Sequence, residues 1–411
     1  MRMIFALACV LLLLSLSSVV SLKYRQLKVW SALYWLLAVT GQLFALPILI
    51  IALSLFLTGR DQPGVAIVSA VTALAASLSL LKQLQVRKAV ATFAEDLGIA
   101  TRRDFYYSWQ KIWRSVLVLH CNRRGMQLDK NISYGDLAEQ RLDIYRLDTS
   151  KSAMSTSELM PILIHIHGGA WVAGKKGQMG RPLIHDMATE GWLVVDIEYR
   201  LGPEHRYPAM IEDVLKAIAW VKTHAEEYGG SANFIALTGG SAGGHLSALA
   251  GLLDCGERRG LQQGFEEVDT RVQAIVPFYG RYDFLDRFNI INDPKIKQFM
   301  IDKVMPVGPI DAGEQLWRQA SPIDHVAGHF PPCLLIHGSS DCMIDVAEAN
   351  AFVDAQRPLS TAPFYFVTVP GAQHAFDLGY CLQAEAVNTL TQYFLKDCYR
   401  QFVSSTSFEK S

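Results

Sequence analysis

The sequence predicts an α/β fold: a mostly parallel sheet with helices on both faces, preceded by a helical apolar region. Three observations in the 411 residues predict it. Beyond residue 131, short apolar runs of strand length alternate with longer amphipathic runs, the pattern of a parallel sheet built from strand–helix units. One such run, Phe234–Thr238, passes through Gly239-Gly240-Ser241-Ala242-Gly243-Gly244 directly into a helical pattern. Residues 1–82 hold three long uncharged apolar stretches. The chain therefore divides into a transmembrane region at 1–82, an amphipathic connector or cap at 83–130, the α/β domain at 131–402 and a tail at 403–411.

In the first region Met3–Leu22, Val29–Gly59 and Gly64–Leu81 are uncharged and each reaches the ~18 residues needed to cross the hydrocarbon core. Three membrane spans are expected. The alternative for the first is a cleaved signal peptide, with Arg2 as its basic start and Val19-Val20-Ser21 as a cleavage site. Lys23, Arg25 and Lys28 follow the first stretch, and Lys82, Arg87 and Lys88 follow the third, while Arg60 stands beside Asp61 in the second loop. The positive-inside rule then puts both three-charge segments in the cytoplasm. A multi-pass integral membrane protein with a cytoplasmic α/β domain is the expectation.

In the connector, Phe105, Trp109, Ile112, Trp113 and Val116 recur at three- and four-residue spacing, with Ser108, Lys111, Arg114 and Ser115 opposite. This stripe is expected to pack on the core of the α/β domain; the alternative is a seat in the membrane interface. Asn131-Ile132-Ser133 is a glycosylation sequon, relevant only to a lumenal domain.

Within the α/β domain Gln140–Leu147 alternates like an edge strand. Ile162–Ile166, Trp192–Tyr199, Phe234–Thr238, Val272–Phe278, Pro332–His337 and Phe364–Val369 supply the remaining strands, and Ile211–Tyr228 reads as a helix. Arg281–Phe330 is a long irregular stretch, the place for a lid or binding loop.

Composition narrows the function. Residues 1–94 hold eight basic side chains and one acid, Asp61, so the remainder is acidic by eight, which argues against nucleic acid as a partner. The seven cysteines are scattered without a C-x-x-C pair, suggesting neither a zinc site nor a disulfide framework. Gly-x-Ser-x-Gly between a strand and a helix is the pattern of a nucleophile elbow, in which a sharp turn exposes the serine hydroxyl. Attack by Ser241 on a carbonyl generates an oxyanion that needs preorganised N–H donors. His167-Gly168-Gly169-Ala170-Trp171, at the end of an upstream strand, offers Gly168 and Gly169 for that role, with Ala242 after the serine as a third donor.

These motifs, together with Tyr199-Arg200-Leu201-Gly202-Pro203-Glu204-His205-Arg206-Tyr207-Pro208-Ala209, resemble the hormone-sensitive-lipase-like and BD-FAE-like esterases of the α/β-hydrolase superfamily. The resemblance covers residues 131–402. It departs at Ala170 and Gly240, where family members often carry Gly and Asp. It implies a triad in the order Ser, Asp, His. Gly371-Ala372-Gln373-His374-Ala375-Phe376 matches the family's histidine motif, so His374 takes the base role. Gly338-Ser339-Ser340-Asp341 matches its acid turn, with Asp345 and then Asp283 as competitors. His245, one turn down the helix from Ser241, reads as structural. The resemblance implies hydrolysis of small-molecule or lipid esters through an acyl-enzyme, with no metal or organic cofactor. An amidase, formamidase or peptidase with the same triad is the rival enzyme class, and a catalytically silent ligand receptor the rival outside enzymes.

Overall fold

A computed structural model describes residues 2–22, 30–59, 61–120, 125–148 and 159–408. Lys23, Arg25, Lys28 and Arg60, whose charges helped to set the expected orientation, lie outside the described residues.

The N-terminal helices are α1 (Arg2–Val19), α2 (Ser31–Leu43), α3 (Ala45–Thr58), α4 (Pro63–Asp96) and α5 (Trp109–Val116). The described residues hold one helix long and apolar enough to span a membrane, α4, which runs unbroken past Leu81 through Lys82, Arg87 and Lys88 to Asp96. The boundary expected at residue 82 therefore falls inside a helix. The second apolar stretch is not one straight span. It bends by 77° between α2 and α3. Pro47, in the first turn of α3, has no N–H to give the carbonyl of Leu43, so the α2 ladder stops there. Gly41 lets α2 approach α1, since a Cβ there would stand 2.1 Å from the carbonyl oxygen of Leu14.

The rest of the chain forms an eight-stranded sheet in the order β1-β2-β4-β3-β5-β6-β7-β8. The strands are β1 (Met126–Ser133), β2 (Arg141–Leu147), β3 (Met160–Ile166), β4 (Leu193–Ile197), β5 (Gly230–Gly240), β6 (Ala274–Phe278), β7 (Cys333–Gly338) and β8 (Phe364–Val369). The helices are α6 (Arg181–Thr189), α7 (Ala209–His224), α8 (Ala242–Leu252), α9 (Cys255–Leu261), α10 (Pro294–Phe299), α11 (Ile310–Gln319), α12 (Val346–Gln356) and α13 (Leu382–Phe408). β4, β3, β5, β6 and β7 pair in parallel, while β1 and β2 are antiparallel additions. Ile162–Ile166 and Phe234–Thr238 are buried along their whole length, which is why they read as continuous apolar runs rather than alternating ones.

Two expectations are corrected here. The Gln140–Leu147 segment is not an edge: β1 covers it, and β1 escaped notice because Met126–Ser133 alternates weakly and carries charge. The Arg281–Phe330 stretch is not irregular, for it holds α10, a single π-helical turn (Met300–Val304), α11 and a 3-10 turn (Pro322–His325). Short helices bounded by Pro and Gly hide their periodicity from the sequence.

The chain forms two compact units. The first comprises Met1–His120, His337–Val346 and Thr368–Leu390; the second comprises Cys121–Ile336, Ala347–Val367 and Thr391–Ser411. This cuts across the expected division at residue 131, because the segments after β7 and β8 group with the N-terminal helices.

Candidate active site

In the second unit, Ser241 occupies the turn from β5 into α8 with φ +58° and ψ −116°. A non-glycine residue held at positive φ stores backbone strain, and surrounding structure has to maintain it. Here the Ser241 N–H donates to the carbonyl of Phe278 at 3.0 Å, and its carbonyl accepts from the His245 N–H at 2.9 Å. The flanking glycines are demanded by space as well as by conformation. A Cβ at Gly243 would lie 1.9 Å from the Ile166 carbonyl oxygen, and one at Gly239 would lie 2.4 Å from the same oxygen. Gly243→Ala is therefore expected to destabilise the second unit by about 3 kcal/mol or more, which a thermal unfolding curve of the full chain measures.

Gly168 and Gly169 follow β3. A Cβ at Gly168 would meet the Gly240 carbonyl oxygen at 2.6 Å, so this turn and the elbow touch through main chain. Gly169 adopts φ +131°, and a Cβ there would stand 2.0 Å from the Ala173 oxygen. Among the described residues, the N–H groups of Gly168, Gly169 and Ala242 have no hydrogen-bond acceptor. Unpaired main-chain donors of this kind are rare in a folded interior and are ready to take an anionic oxygen.

The departures from the family pattern have physical reasons. Tyr279, just after β6, fills the space an acidic side chain would need at position 240: a Cβ there would lie 2.6 Å from its hydroxyl oxygen. Nothing in the sequence marked Tyr279. Ala170 is exposed and has φ +52°, so alanine in place of glycine carries backbone strain of about 1–2 kcal/mol there.

The surrounding polar groups are structural. Trp171 Nε1–H donates to His245 Nδ1 at 3.1 Å, which makes Nε2–H the donor to the Ala320 carbonyl at 2.7 Å. His245 is thus a neutral imidazole with both nitrogens engaged, and burial pushes its pKa down to about 4. The structural reading of His245 agrees with this geometry. His167 is likewise buried and pushed down to about 4, stacked on Tyr199 at 4.4 Å. Arg200, from the second quoted motif, ion-pairs with Asp213 and Glu212 on α7 at 2.9 and 3.0 Å.

In the first unit, Asp341 and His374 are brought together. Asp341 lies in the turn after β7 and His374 in the loop after β8; His374 Nδ1 is 2.7 Å from Asp341 Oδ2. A carboxylate accepts only, so Nδ1–H is the donor and Nε2 carries the lone pair of the neutral ring. Asp341 Oδ1 accepts the N–H groups of Met343 and Ile344 at 2.9 and 2.8 Å, and His337 Nε2 approaches Oδ2 at 3.3 Å. Burial pushes the Asp341 carboxyl up, but His374 and His337 outweigh it and hold the group well below the usual carboxylate range. Asp341 is thus paired with His374. Asp283 is occupied in the second unit by Arg287, whose Nε donates at 3.1 Å.

The aromatic connector faces the other way from expectation. On α5 it is Ser115 that is buried, Lys111 Nζ that reaches Thr389 Oγ1 at 3.0 Å, and Arg114 that pairs with Glu385 at 3.1 Å and lies over the Tyr380 ring at 3.9 Å. Trp109 and Trp113 are 77% and 62% exposed. The stripe is split: Phe105 is buried and Ile112 and Val116 are half-buried, while the two indoles stay outside because α13 carries polar partners for the basic face, and the buried Glu385 carboxylate has to be paired.

A central mostly parallel sheet with helices and a strained serine turn between strand and helix are the marks of the α/β-hydrolase fold. Comparison with known proteins agrees. Residues 142–355 match the BD-FAE family model, and the chain belongs to that family. The probable carboxylic ester hydrolase LipM of Mycobacterium tuberculosis is 40% identical over 272 residues, covering 66% of this chain and 61% of that protein. Esterase LipC of the same organism is 39% identical, covering 68% of each. The isoprenylcysteine alpha-carbonyl methylesterase ICME of Arabidopsis thaliana is 27% identical over 56% of this chain and 52% of its own length. Among solved structures, a truncated carbohydrate esterase from gut microbiota superposes with a TM-score of 0.53 at 27% identity, covering 68% of this chain and 96% of that one. The chain thus spans less than two thirds of the length of LipM and about two thirds of that of LipC.

Proposed function

We propose that the chain is a serine carboxylesterase anchored in a membrane. Ser241 attacks the ester carbonyl as His374 Nε2 takes its proton. Asp341 holds the imidazole in the required tautomer and stabilises the imidazolium. The N–H groups of Gly168, Gly169 and Ala242 receive the oxyanion, the alcohol leaves with the proton returned by His374, and water hydrolyses the acyl-enzyme by the same steps. The observation that carries this reading is the buried His374–Asp341 hydrogen bond, 2.7 Å long and of the polarity a general base needs. The strained Ser241 turn and the names of the mycobacterial relatives support it. A p-nitrophenyl ester series run beside a formanilide tests it: ester turnover is expected, and turnover of the formanilide alone would replace the esterase with an amidase.

Membrane attachment is supported by α4, whose apolar part, Pro63–Leu81, is followed by Lys82, Arg87 and Lys88. With three basic residues on that side, the positive-inside rule gives the C-terminal end of α4, and the α/β domain with it, a cytoplasmic placement. The exposed indoles of Trp109 and Trp113 suit the headgroup region, where an aromatic ring satisfies both its apolar face and its N–H. Lipid-derived esters are accordingly the proposed substrate class, and the plant relative, an isoprenylcysteine alpha-carbonyl methylesterase, makes methyl esters of prenylated cysteine one member to assay. Trp109→Ser/Trp113→Ser is expected to lower turnover of vesicle-embedded esters about 10-fold while leaving p-nitrophenyl acetate turnover unchanged. Equal rates on both substrates would remove the interface role.

A further inference from the structure

We propose that α2 is a positioning element for the catalytic base, its Trp35 and Gln42 holding the main chain of the loop that carries His374; this rests on the reading of His374 as that base. Trp35 and Gln42 are seven residues apart and therefore share a face of α2. Gln42 Nε2–H donates to the Gly371 carbonyl at 2.7 Å, and Gln42 Oε1 accepts the Gln373 N–H at 3.1 Å. Trp35 Nε1–H donates to the carbonyl of His374 itself at 2.8 Å. Three main-chain groups within four consecutive residues thus take their hydrogen bonds from one helix more than 300 residues earlier in the chain.

The grip is built rather than incidental. Gln42 is only 4% exposed, in a helix whose other side chains are mostly apolar. A buried amide is tolerated where its donors and acceptor are met. Gln83 of α4 donates to the Gln42 carbonyl at 2.9 Å and Gln383 approaches its Oε1 at 3.3 Å, so the position is fixed from two further elements. The loop needs outside support, because Ala375, next to the base, is held at φ +58°. The same helix reaches the acid turn: Cys342 packs with Tyr34 and Ala38. One helix therefore braces both segments whose side chains meet in the His374–Asp341 bond. The apolar N-terminal region is then part of the catalytic scaffold as well as an anchor.

The test uses the full chain in detergent micelles. Gln42→Leu removes the bifunctional amide; Trp35→Phe keeps a ring and deletes one N–H. Each is expected to lower kcat for p-nitrophenyl butyrate by about 10- to 100-fold with KM held within about two-fold, the signature of a misplaced base rather than lost binding. Hydrogen exchange should quicken over residues 371–376 and stay unchanged in the central strands. Unaltered kcat in both variants overturns the proposal, and so does exchange that rises across the whole chain, which would mean plain destabilisation. If wild-type enzyme shows no turnover while exchange at 371–376 still rises in Gln42→Leu, the reading of His374 as base falls and its positioning role with it, although the helix does hold the loop.

Discussion

Ser241→Ala is expected to lower ester turnover by about 10⁶-fold, to the residual level that oxyanion donors and binding sustain without a nucleophile. The size of the effect follows from the role proposed for the residue: as nucleophile it would form the covalent bond to the acyl group, and without it that bond cannot form. Folding should be untouched or slightly improved. The serine lies at φ +58° on a turn that glycines make possible, and the substitution deletes one oxygen without filling space. Steady-state kinetics and a thermal unfolding curve on the same preparation separate the two consequences. A variant that kept more than a few per cent of wild-type turnover would place the nucleophile elsewhere.

Asp341→Asn is expected to cost about 10⁴-fold in kcat, because an amide presents its NH₂ to His374 and drives the imidazole into the tautomer that cannot accept from serine. The loss reaches stability as well. Asp341 Oδ1 accepts two main-chain N–H groups and Oδ2 faces two histidines, all buried, and breaking such a charged cluster from one side costs roughly 3–5 kcal/mol. The sign of the pH dependence follows from the depressed Asp341 pKa. Its stabilising contribution is fully present above the ordinary carboxylate range and is lost as the pH falls toward the lower folded-state value. Below about pH 4 the wild-type advantage over Asp341→Asn in unfolding temperature should therefore shrink. Asp345→Asn should leave kcat within about three-fold of wild type. Reversed penalties for the two substitutions would transfer the acid role to Asp345.

Much of the hydrolase was legible because its chemistry is written in local runs. An elbow needs a strand, small residues and a helix within about fifteen positions, and Phe234–Ala250 supplies them contiguously. The strand preceding Asp341 was equally clear, since a buried parallel strand is a continuous apolar run, and Phe364–Val369, before His374, is apolar enough to read as a strand although only half of it is buried. What was not legible depended on partners distant in sequence. Tyr279 explains Gly240, yet only the folded chain brings its ring to the elbow. The periodicity of Phe105–Val116 reads as one helix, but the helix starts only at Trp109, with Phe105 closing a 3-10 turn before it, and periodicity does not say which face is inside. Glu385 and Thr389 decide that, more than 270 residues later. Gln42 and Trp35 were hidden for the opposite reason: they lie inside a long uncharged stretch that reads as a membrane span, and their loop partners appear only when α2 is folded against residues 371–374.

The central claim is that Ser241 is an activated nucleophile, and the most direct measurement is the site of modification by a fluorophosphonate. The full chain, treated in detergent micelles and digested, should carry one adduct on the peptide containing Ser241. Labelling should vanish in Ser241→Ala and slow strongly in Asp341→Asn. An adduct on a different residue, or none in the wild-type chain, would contradict the account.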